Sequence, residues 1–482
     1  MTNHRACVRT SSNQIRVKPT YKNARPNVKL EDLPQDVLCT ILSKLPAKEV
    51  SRASVLSRDW RYLPDICCYK LCFTSAAGCC RDSFPRKEYC QYMQKFISYV
   101  NAVVRNCHGK VVQEFNVKFE FDIMLLAHLN NWVDFVVSSQ TKNIAFYLRP
   151  VNKTVWDVGR YIFPFHLLDT QSISRLECIQ LSFVSFRPPA EFCGFPSLRK
   201  LDLEFVDTTR RDLEVVLSNC IYLKWLSLVR CFLDDELKLD RPLPQLRHLT
   251  VLRCRVTRIE LRVLKLDTFQ YDGDAVPIVI NQDVKLENAD ICFSKRSFQD
   301  TVSALLNAIP RVRNLTLQTF NPLLETQYLL NSTDKFSRLR CLQLLIGITS
   351  EDANKLPNVV SILRAAPFIE KLEIHFTAGG HICFVDKGTL GTQDHQRCEY
   401  NYLKSMHMTG YKGAMGQLEL LLRVVERAPV LEALTVETTL RRDEDLYTHM
   451  FCRKKRCSER AILHAKSCLP AKISPNVKLY VM

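Results

Sequence analysis

The residues of this chain best suited to hold a metal ion are two histidines and two cysteines within one polar segment: His381, Cys383, His395 and Cys398. Imidazole nitrogens and thiolate sulfurs are the ligands that zinc prefers, and four of them complete a tetrahedral site. Zinc sites are usually built from more closely spaced ligand pairs than these. We therefore expect no metal in this segment.

A second group of possible ligands is a run of cysteines with no histidine among them. Its members are Cys67, Cys68, Cys72, Cys79, Cys80 and Cys90. Their spacings do not form the paired knuckles of zinc-binding modules. The whole chain has 21 cysteines, an odd number, spread through apolar segments. This usage favours reduced thiols over a disulfide framework, so we expect the protein in the nucleus, the cytoplasm or both.

The common signatures of catalysis and cofactor binding are not found in the sequence. It contains neither type of glycine loop that cradles phosphates, and no nucleophile elbow. No cysteine has the neighbours that would activate a thiol nucleophile. We therefore expect a protein that is not an enzyme and has no cofactor.

The formal net charge is +17, and two basic runs contribute to it. Residues 1–29 contain seven basic residues and no acidic one, and residues 453–456 are all basic. Such runs occur in import signals and in nucleic-acid contacts, but here they do not alternate with aromatic residues on which bases could stack. The charge leaves open a basic nucleic-acid-binding or scaffold repeat protein. No apolar stretch is long enough to predict a membrane-spanning helix.

The sharpest pattern lies in residues 30–72. Asp32 and Pro34 suit a helix N-cap and a first-turn proline, and Pro46 ends the helix. Apolar residues recur on one face of it, at Val37, Leu38, Ile41, Leu42 and Leu45. Three short helices of this size cannot bury so much apolar surface by themselves. The stripe therefore either binds a partner or packs on the rest of the chain.

The order of residues in this segment resembles an F-box. Its first half reads Leu33-Pro34-x-Asp36-Val37-Leu38-x-x-Ile41-Leu42-x-x-Leu45-Pro46. Its second half reads Arg52-Ala53-Ser54-Val55-Leu56-Ser57-Arg58-x-Trp60-Arg61. The resemblance implies that the segment binds a Skp-family adaptor and, through it, a cullin. The contacts that it implies are Leu33, Pro34, Leu38, Ile41, Leu42, Leu45 and Pro46.

The body of the chain repeats one template, apolar-x-x-apolar-x-apolar. Clear copies begin at Leu176, Leu198, Leu223, Leu246, Val312, Leu339, Ile369, Leu403 and Leu431. A weaker copy begins at Val112, and between Leu264 and Ile291 the pattern blurs, with Phe269 and Tyr271 as the best candidates. This template is typical of leucine-rich repeats, in which each unit combines a short strand with a helix or turn. Apolar helical segments that precede three of the copies stop at Pro310, Pro367 and Pro429.

Alternate side chains of such strands point into the core, and the intervening ones line the concave face of the solenoid. Several of these positions are basic, which suits an acidic partner surface. Trp225 either anchors a partner or packs against a neighbouring strand. The expected target-binding residues are Lys200, Lys224, Trp225, Arg247, His248 and Arg313.

Residues 401–440 resemble the FBD module that follows leucine-rich repeats in a large plant F-box family, through Leu403-Lys404, Gly410-Tyr411 and Ala428-Pro429. The expected fold is α/β, with an N-terminal three-helix F-box, an irregular leucine-rich-repeat solenoid (horseshoe) and the FBD module. The expected segments are a disordered basic tail (1–29), the F-box (30–72), a helical linker (73–110), the repeat array (111–400), the FBD module (401–440) and a basic C-terminal segment (441–482). The resemblance implies a substrate-recognition adaptor of an SCF-type (Skp–cullin–F-box) ubiquitin ligase, whose repeat face binds an unknown target protein.

Overall fold

The structure is a computed structural model of the chain. It describes residues 33–34, 37, 69–74, 86–150, 159–240, 243–294, 298–319, 335–348, 356, 359–378, 399–439 and 455–482. The chain divides into two compact units, residues 1–68 and residues 69–482. In the first unit the described residues are Leu33, Pro34 and Val37, so the three helices expected there lie outside the described part of the chain.

The second unit alternates short strands with helices or turns. The strands among the described residues are β1 Tyr69–Thr74, β2 Val112–Phe121, β3 Asn143–Pro150, β4 Tyr161–Ile162, β5 Cys178–Ser182, β6 Val184–Ser185, β7 Lys200–Glu204, β8 Trp225–Val229, β9 Phe232–Leu239, β10 His248–Leu252, β11 Arg255–Leu261, β12 Thr268–Asp274, β13 Ile278–Ile280, β14 Asn288–Ser294, β15 Asn314–Thr319, β16 Cys341–Ile348, β17 Lys371–Ala378, β18 Ser405–Thr409, β19 Ala433–Val436 and β20 Lys478–Val481. The described α-helices are Arg86–Asn106, Leu126–Ser138, Thr170–Arg175, Arg210–Leu217, Phe298–Ala308, Ser361–Arg364, Met415–Val425 and Lys455–Cys468. None of these helices combines the length and the apolar character that crossing a bilayer requires.

Fifteen of the described strands form one sheet, in the order β1-β2-β3-β5-β7-β8-β10-β12-β14-β15-β16-β17-β18-β19-β20. We call it the main sheet. Each strand pairs in parallel with the strand that precedes it in this order. A parallel sheet that grows by one strand per repeat is the architecture of a leucine-rich-repeat solenoid, so the predicted α/β repeat fold is confirmed.

The apolar positions of the template form the core. In all nine clear copies, the three template side chains are exposed by 5% or less. Leu223, Leu226 and Leu228, for example, are each 0% exposed. Burying a leucine side chain stabilises the folded state by about 1.5–3 kcal/mol, so the repeated template is the main source of stability. The helices predicted to stop at Pro310, Pro367 and Pro429 are Phe298–Ala308, Ser361–Arg364 and Met415–Val425.

The region where the template blurs also contributes strands to the main sheet. Phe269 and Tyr271 are buried in β12, as predicted, and Leu266 supplies the first apolar position of that copy. The next strand, β14, buries Ala289 and Ile291. A small alanine in place of a large apolar residue explains why this copy was not recognised in the sequence.

Three repeats in this region have a second strand where the sequence predicted a helix or turn. In each of them a main-sheet strand is followed by another strand, β9, β11 or β13, and these three form a parallel sheet of their own. The turn into the second strand is stabilised by buried cysteines. The Cys254 thiol donates to the Leu228 carbonyl at 3.3 Å and accepts from the Cys231 N–H at 3.3 Å.

The main sheet extends to both sides of residues 111–400, which the sequence assigned to the repeat array. The long helix predicted between Met93 and Cys107 is Arg86–Asn106, followed by Gly109 at a φ of 78°. It connects β1 to β2, and these two strands pair with each other. At the other end, β18, β19 and β20 continue the sheet through residues 405–481. The predicted segment boundaries and the FBD module stay predictions.

Candidate functional site

On the face opposite the core, equivalent positions of neighbouring strands of the main sheet form rows of side chains. We call this surface the polar face; Lys200 and Asp202 of β7 and Trp225 and Ser227 of β8 lie on it, between core leucines. Because the strands are parallel and in register, equivalent residues of successive repeats lie side by side. Lys200 pairs with Trp225, and Trp225 pairs with His248 of β10.

Three of the predicted target-binding residues contact one another on this face. The Lys200 Nζ lies 5.8 Å from the centroid of the Trp225 ring, and the rings of Trp225 and His248 have centroids 4.9 Å apart. Trp225 nevertheless keeps 38% of its surface exposed. It therefore packs against a neighbouring strand and still presents an aromatic surface to a partner. We call Lys200, Trp225 and His248 the Trp225 cluster.

Lys224 and Arg247 lie beside this cluster, at the edge of the sheet where β8 and β10 begin. The Lys224 carbonyl accepts hydrogen bonds from the N–H groups of Arg247 and His248, both at 3.0 Å. The same pair of backbone hydrogen bonds recurs in neighbouring repeats along this edge, so each repeat places one residue there. Both side chains are exposed, and neither takes part in an ion pair among the described residues. They are therefore available to a negatively charged partner.

Arg313 is not part of this group. It precedes β15, and two strands, β12 and β14, separate β15 from β10. With neighbouring strands about 4.8 Å apart, that separation is about 14 Å. Arg313 also has a carboxylate partner, because its Nη1 lies 3.9 Å from the Glu287 Oε2. The structure thus brings five of the six predicted residues together and leaves the sixth apart.

Carboxylates also lie on the polar face, within the strands. The Asp202 Oδ2 is 3.6 Å from the Lys200 Nζ, and Glu373 pairs with Lys371 on β17. Both signs therefore occur in the middle of the face and also at the edge where the strands begin, where Glu177 pairs with Arg199 and Glu287 with Arg313.

A second polar group of this face surrounds His375 on β17, which is only 3% exposed. Its Nδ1 lies 3.0 Å from the Thr409 Oγ1, and its Nε2 lies 3.0 Å from the Gln343 Nε2 and 3.3 Å from the Glu373 Oε2. Burial alone would raise the pKa of Glu373, but hydrogen bonds and positive charge from Lys371 and His375 lower it to about 2. Since its members bind one another across three strands, this group joins the repeats. The sequence gives no signal for His375, because a buried side chain at a polar-face position does not follow the alternation of buried and exposed residues.

Two buried thiols, those of Cys220 and Cys292, are poorly suited to nucleophilic chemistry. Burial raises the pKa of Cys220 to about 11 and that of Cys292 to about 12. Among the described residues, no group of three or more His, Cys, Asp or Glu side chains could hold a metal ion. The four-residue group predicted to be free of metal, His381, Cys383, His395 and Cys398, lies outside them.

The predicted adaptor-binding stripe is described at its beginning. Leu33 is half-buried and Pro34 is exposed. The Val37 N–H donates to the Pro34 carbonyl at 3.0 Å, and Val37 is 38% exposed. The other predicted contacts lie outside the described residues: Leu38, Ile41, Leu42, Leu45 and Pro46.

Comparison with known proteins identifies both parts of the chain. The family model described as "At1g61320/AtMIF1, LRR domain" matches residues 103–482, and the F-box domain model matches residues 30–71. The F-box/FBD/LRR-repeat protein At1g13570 of Arabidopsis thaliana is 22% identical over 85% of this chain and 91% of its own length. The putative F-box protein At3g29830 of the same plant is 24% identical over 82% of this chain and 87% of its own length. F-box/LRR-repeat protein 13, also from Arabidopsis thaliana, is 26% identical over 54% of this chain and 56% of its own length.

These matches agree with the geometry described above. The repeat model covers the strands from β2 to β20, and the F-box model covers the segment that carries the apolar stripe. The chain therefore belongs to the plant F-box/FBD/leucine-rich-repeat protein family.

Proposed function

We propose that this protein is the substrate-recognition adaptor of an SCF-type ubiquitin ligase. In this proposal, residues 30–71 bind a Skp-family adaptor that bridges to a cullin, and the polar face of the main sheet binds a target protein. The observation that carries the proposal is the F-box match at residues 30–71, whose end overlaps the first strand of the main sheet, Tyr69–Thr74. The F-box and leucine-rich-repeat relatives support a substrate-adaptor role of this general kind.

The chemistry of the polar face supports its assignment to target binding. Trp225 is an exposed aromatic side chain whose ring packs against His248 at an angle of 35°, and aromatic residues dominate the binding energy of many interfaces. Lys224 and Arg247 add positive charge beside it. Such charges steer an acidic surface towards the site and select against basic ones. We therefore place the target at Lys200, Lys224, Trp225, Arg247 and His248, with an acidic surface facing them.

A non-catalytic role follows from the same proposal. An adaptor acts by holding the target near a charged ubiquitin carrier, which raises the effective concentration of the target's lysines. It needs no nucleophile of its own, and the raised thiol pKa values of Cys220 and Cys292 agree with that. The described cysteines are free thiols, which suits action in a reducing compartment, the nucleus, the cytoplasm or both.

Affinity capture with two variants of the full chain tests both halves of the proposal. Leu38→Asp is expected to lose the Skp-family adaptor and cullin but to keep the target, which accumulates because it is no longer ubiquitinated. Trp225→Ala is expected to lose the target but to keep the Skp-family adaptor and cullin. Wild-type bait, captured under proteasome inhibition, retains both sets of proteins. If each variant is folded and yet loses both the target and the adaptor with its cullin, residues 30–71 and the polar face do not bind separate partners, and the proposal is contradicted.

A further inference from the structure

A thiol and an imidazole lie next to each other on the helix Lys455–Cys468. His464 precedes Cys468 by four residues, the spacing at which helical side chains are neighbours on one face. The His464 Nε2 lies 3.7 Å from the Cys468 Sγ, within reach of a hydrogen bond to sulfur. Among the described residues, Cys468 is the only cysteine with an imidazole at such a distance. It therefore corrects the expectation that no cysteine has an activating neighbour.

Tyr411 holds the other nitrogen of this imidazole. Its Oη lies 3.0 Å from the His464 Nδ1, and the tyrosine is 0% exposed. The backbone of Tyr411 is fixed as well, because its N–H donates to the Glu437 carbonyl at 3.0 Å. Burial raises the pKa of Tyr411, so its hydroxyl stays neutral and can accept a hydrogen bond from an Nδ1–H group. This contact turns the His464 Nε2 towards the Cys468 sulfur.

A buried stripe fixes the orientation of the helix that carries both residues. Ala461, Ala465 and Leu469 follow one another at intervals of four residues, and each is 0% exposed. They therefore form one face, packed against the rest of the chain. His464 and Cys468 lie beside this face and are both half-buried, so a small solute can reach the sulfur from solvent.

The arrangement suits transfer of a proton from the thiol to the imidazole. With its own proton on Nδ1, a neutral His464 can accept the Cys468 proton at Nε2, while the Nδ1–H group donates to the Tyr411 Oη. The result is a thiolate beside an imidazolium. The thiolate is the nucleophilic form of cysteine, and oxidants select partly exposed thiols in such surroundings.

We propose that Cys468 is a site of oxidation by hydroperoxides, with His464 as the group that takes the thiol proton and Tyr411 as a positioning residue. The sulfur attacks one peroxide oxygen, so that an S–O bond forms and the O–O bond breaks. The proton held by His464 passes to the departing oxygen, which leaves as water when the oxidant is hydrogen peroxide. The sulfur is oxidised by two electrons to a sulfenic acid, and the peroxide is reduced by two.

The surroundings of Cys468 favour a sulfenic acid over a disulfide as the product. Besides His464, the polar contact of the Cys468 Sγ is the Ser467 Oγ, at 3.7 Å. No other thiol of the described residues contacts this sulfur. A sulfenic acid condenses to a disulfide only where a second thiol can reach it. We therefore expect the sulfenic acid to persist long enough to be trapped by a chemical probe.

The test treats the full native chain with hydrogen peroxide, traps sulfenic acids with dimedone and follows each cysteine by mass spectrometry. We expect Cys468 to be labelled at least tenfold faster than Cys193, an exposed thiol that donates to the Glu191 carbonyl at 3.3 Å and has no imidazole beside it. His464→Gln removes the base and is expected to lower the Cys468 rate to that of Cys193. The matched control, His166→Gln, removes an exposed histidine and is expected to change the rate less than twofold.

A second comparison separates positioning by Tyr411 from a merely structural role. Tyr411→Phe keeps the buried ring but loses the hydroxyl that contacts the His464 Nδ1, and we expect a Cys468 rate between those of wild type and His464→Gln. In a chain that already carries His464→Gln, the same change is expected to have no further effect, because the two residues act as one unit. A loosened helix would instead alter the rate in both backgrounds.

Either of two outcomes would overturn the proposal. One is a Cys468 that is labelled no faster than Cys193 in the wild-type chain, a comparison that needs no variant. The other is a His464→Gln variant that is folded by circular dichroism and is labelled at Cys468 as fast as wild type. An effect of Tyr411→Phe that persists in the His464→Gln background would overturn the positioning role of the tyrosine. None of these measurements depends on the Skp-family adaptor or on the target.

Discussion

The indole of Trp225 packs against the imidazole of His248 in the next repeat, with ring centroids 4.9 Å apart, ring planes inclined by 35° and 38% of the tryptophan still exposed. The register of β8 with β10 fixes this relationship, because the two residues are paired across the strands. A rigid, half-exposed aromatic side chain loses little conformational freedom when a partner covers it.

Truncation of this side chain is expected to weaken target binding. Hot-spot tryptophans contribute about 2 kcal/mol or more, so Trp225→Ala should lower target affinity about thirtyfold or more, with little change in the melting temperature. The measurement is quantitative capture of the target by full-length bait. Tyr402→Ala removes another exposed aromatic residue, which contacts Phe368 at a centroid distance of 5.6 Å, and serves as the control. Equal losses in the two variants would remove Trp225 from the binding surface.

The core template makes a stability prediction. Leu226→Ala empties a position that is 0% exposed, and we expect it to lower the free energy of unfolding by about 2–5 kcal/mol. Leu264→Ala alters a leucine that is 61% exposed, and we expect a change within about 0.5 kcal/mol. Urea denaturation followed by circular dichroism measures both. Similar effects of the two substitutions would contradict the assignment of the core.

Acid titration tests the polar group around His375. The pKa of Glu373 is lowered from 4.5 to about 2 in the folded chain. A carboxylate with a depressed folded pKa contributes stability that is fully present above its unfolded pKa and is lost as the pH falls through the folded one. The unfolding free energies of wild type and Glu373→Gln should therefore differ most above about pH 5 and converge towards about pH 2. A difference that is independent of pH in this window would show that the carboxylate is not held by Lys371 and His375.

Thiol accessibility distinguishes an adaptor from a thiol-dependent transferase. Burial raises the pKa of Cys220 and Cys292 to about 11 and about 12, and only the thiolate is nucleophilic. We expect both to resist iodoacetamide in the native chain and the exposed Cys193 to react before them, as read by mass spectrometry. We also expect no thioester when the purified protein meets a charged ubiquitin carrier. A thioester that survives gel electrophoresis without reductant would contradict the non-catalytic role.

The repeat fold was predictable because its template is redundant. Nine copies of one six-residue spacing predict strands such as β8 and β10 from the sequence alone. Copies in which a small or polar residue replaces a large apolar one were missed. In β14 the residue is Ala289, and before β3 it is Thr141, which is 1% exposed.

The candidate site was predictable only in part. The alternation of strand side chains placed Lys200, Trp225 and His248 on one face, and the register brought them into contact. Arg313 was grouped with them because periodicity does not show how many strands lie between two repeats. The left-handed backbone at Arg230, with a φ of 52°, gave no sequence signal, since the glycine that usually marks such a turn is not present there.

The most direct test of the whole account is the affinity of the full chain for a purified Skp-family adaptor, measured by titration calorimetry for wild type, Leu38→Asp and Trp225→Ala. We expect tight binding by wild type, at least hundredfold weaker binding by Leu38→Asp, and unchanged binding by Trp225→Ala. Equal affinity of wild type and folded Leu38→Asp, or no binding by either, would contradict the assignment of residues 30–71 as the docking segment of a ubiquitin-ligase adaptor.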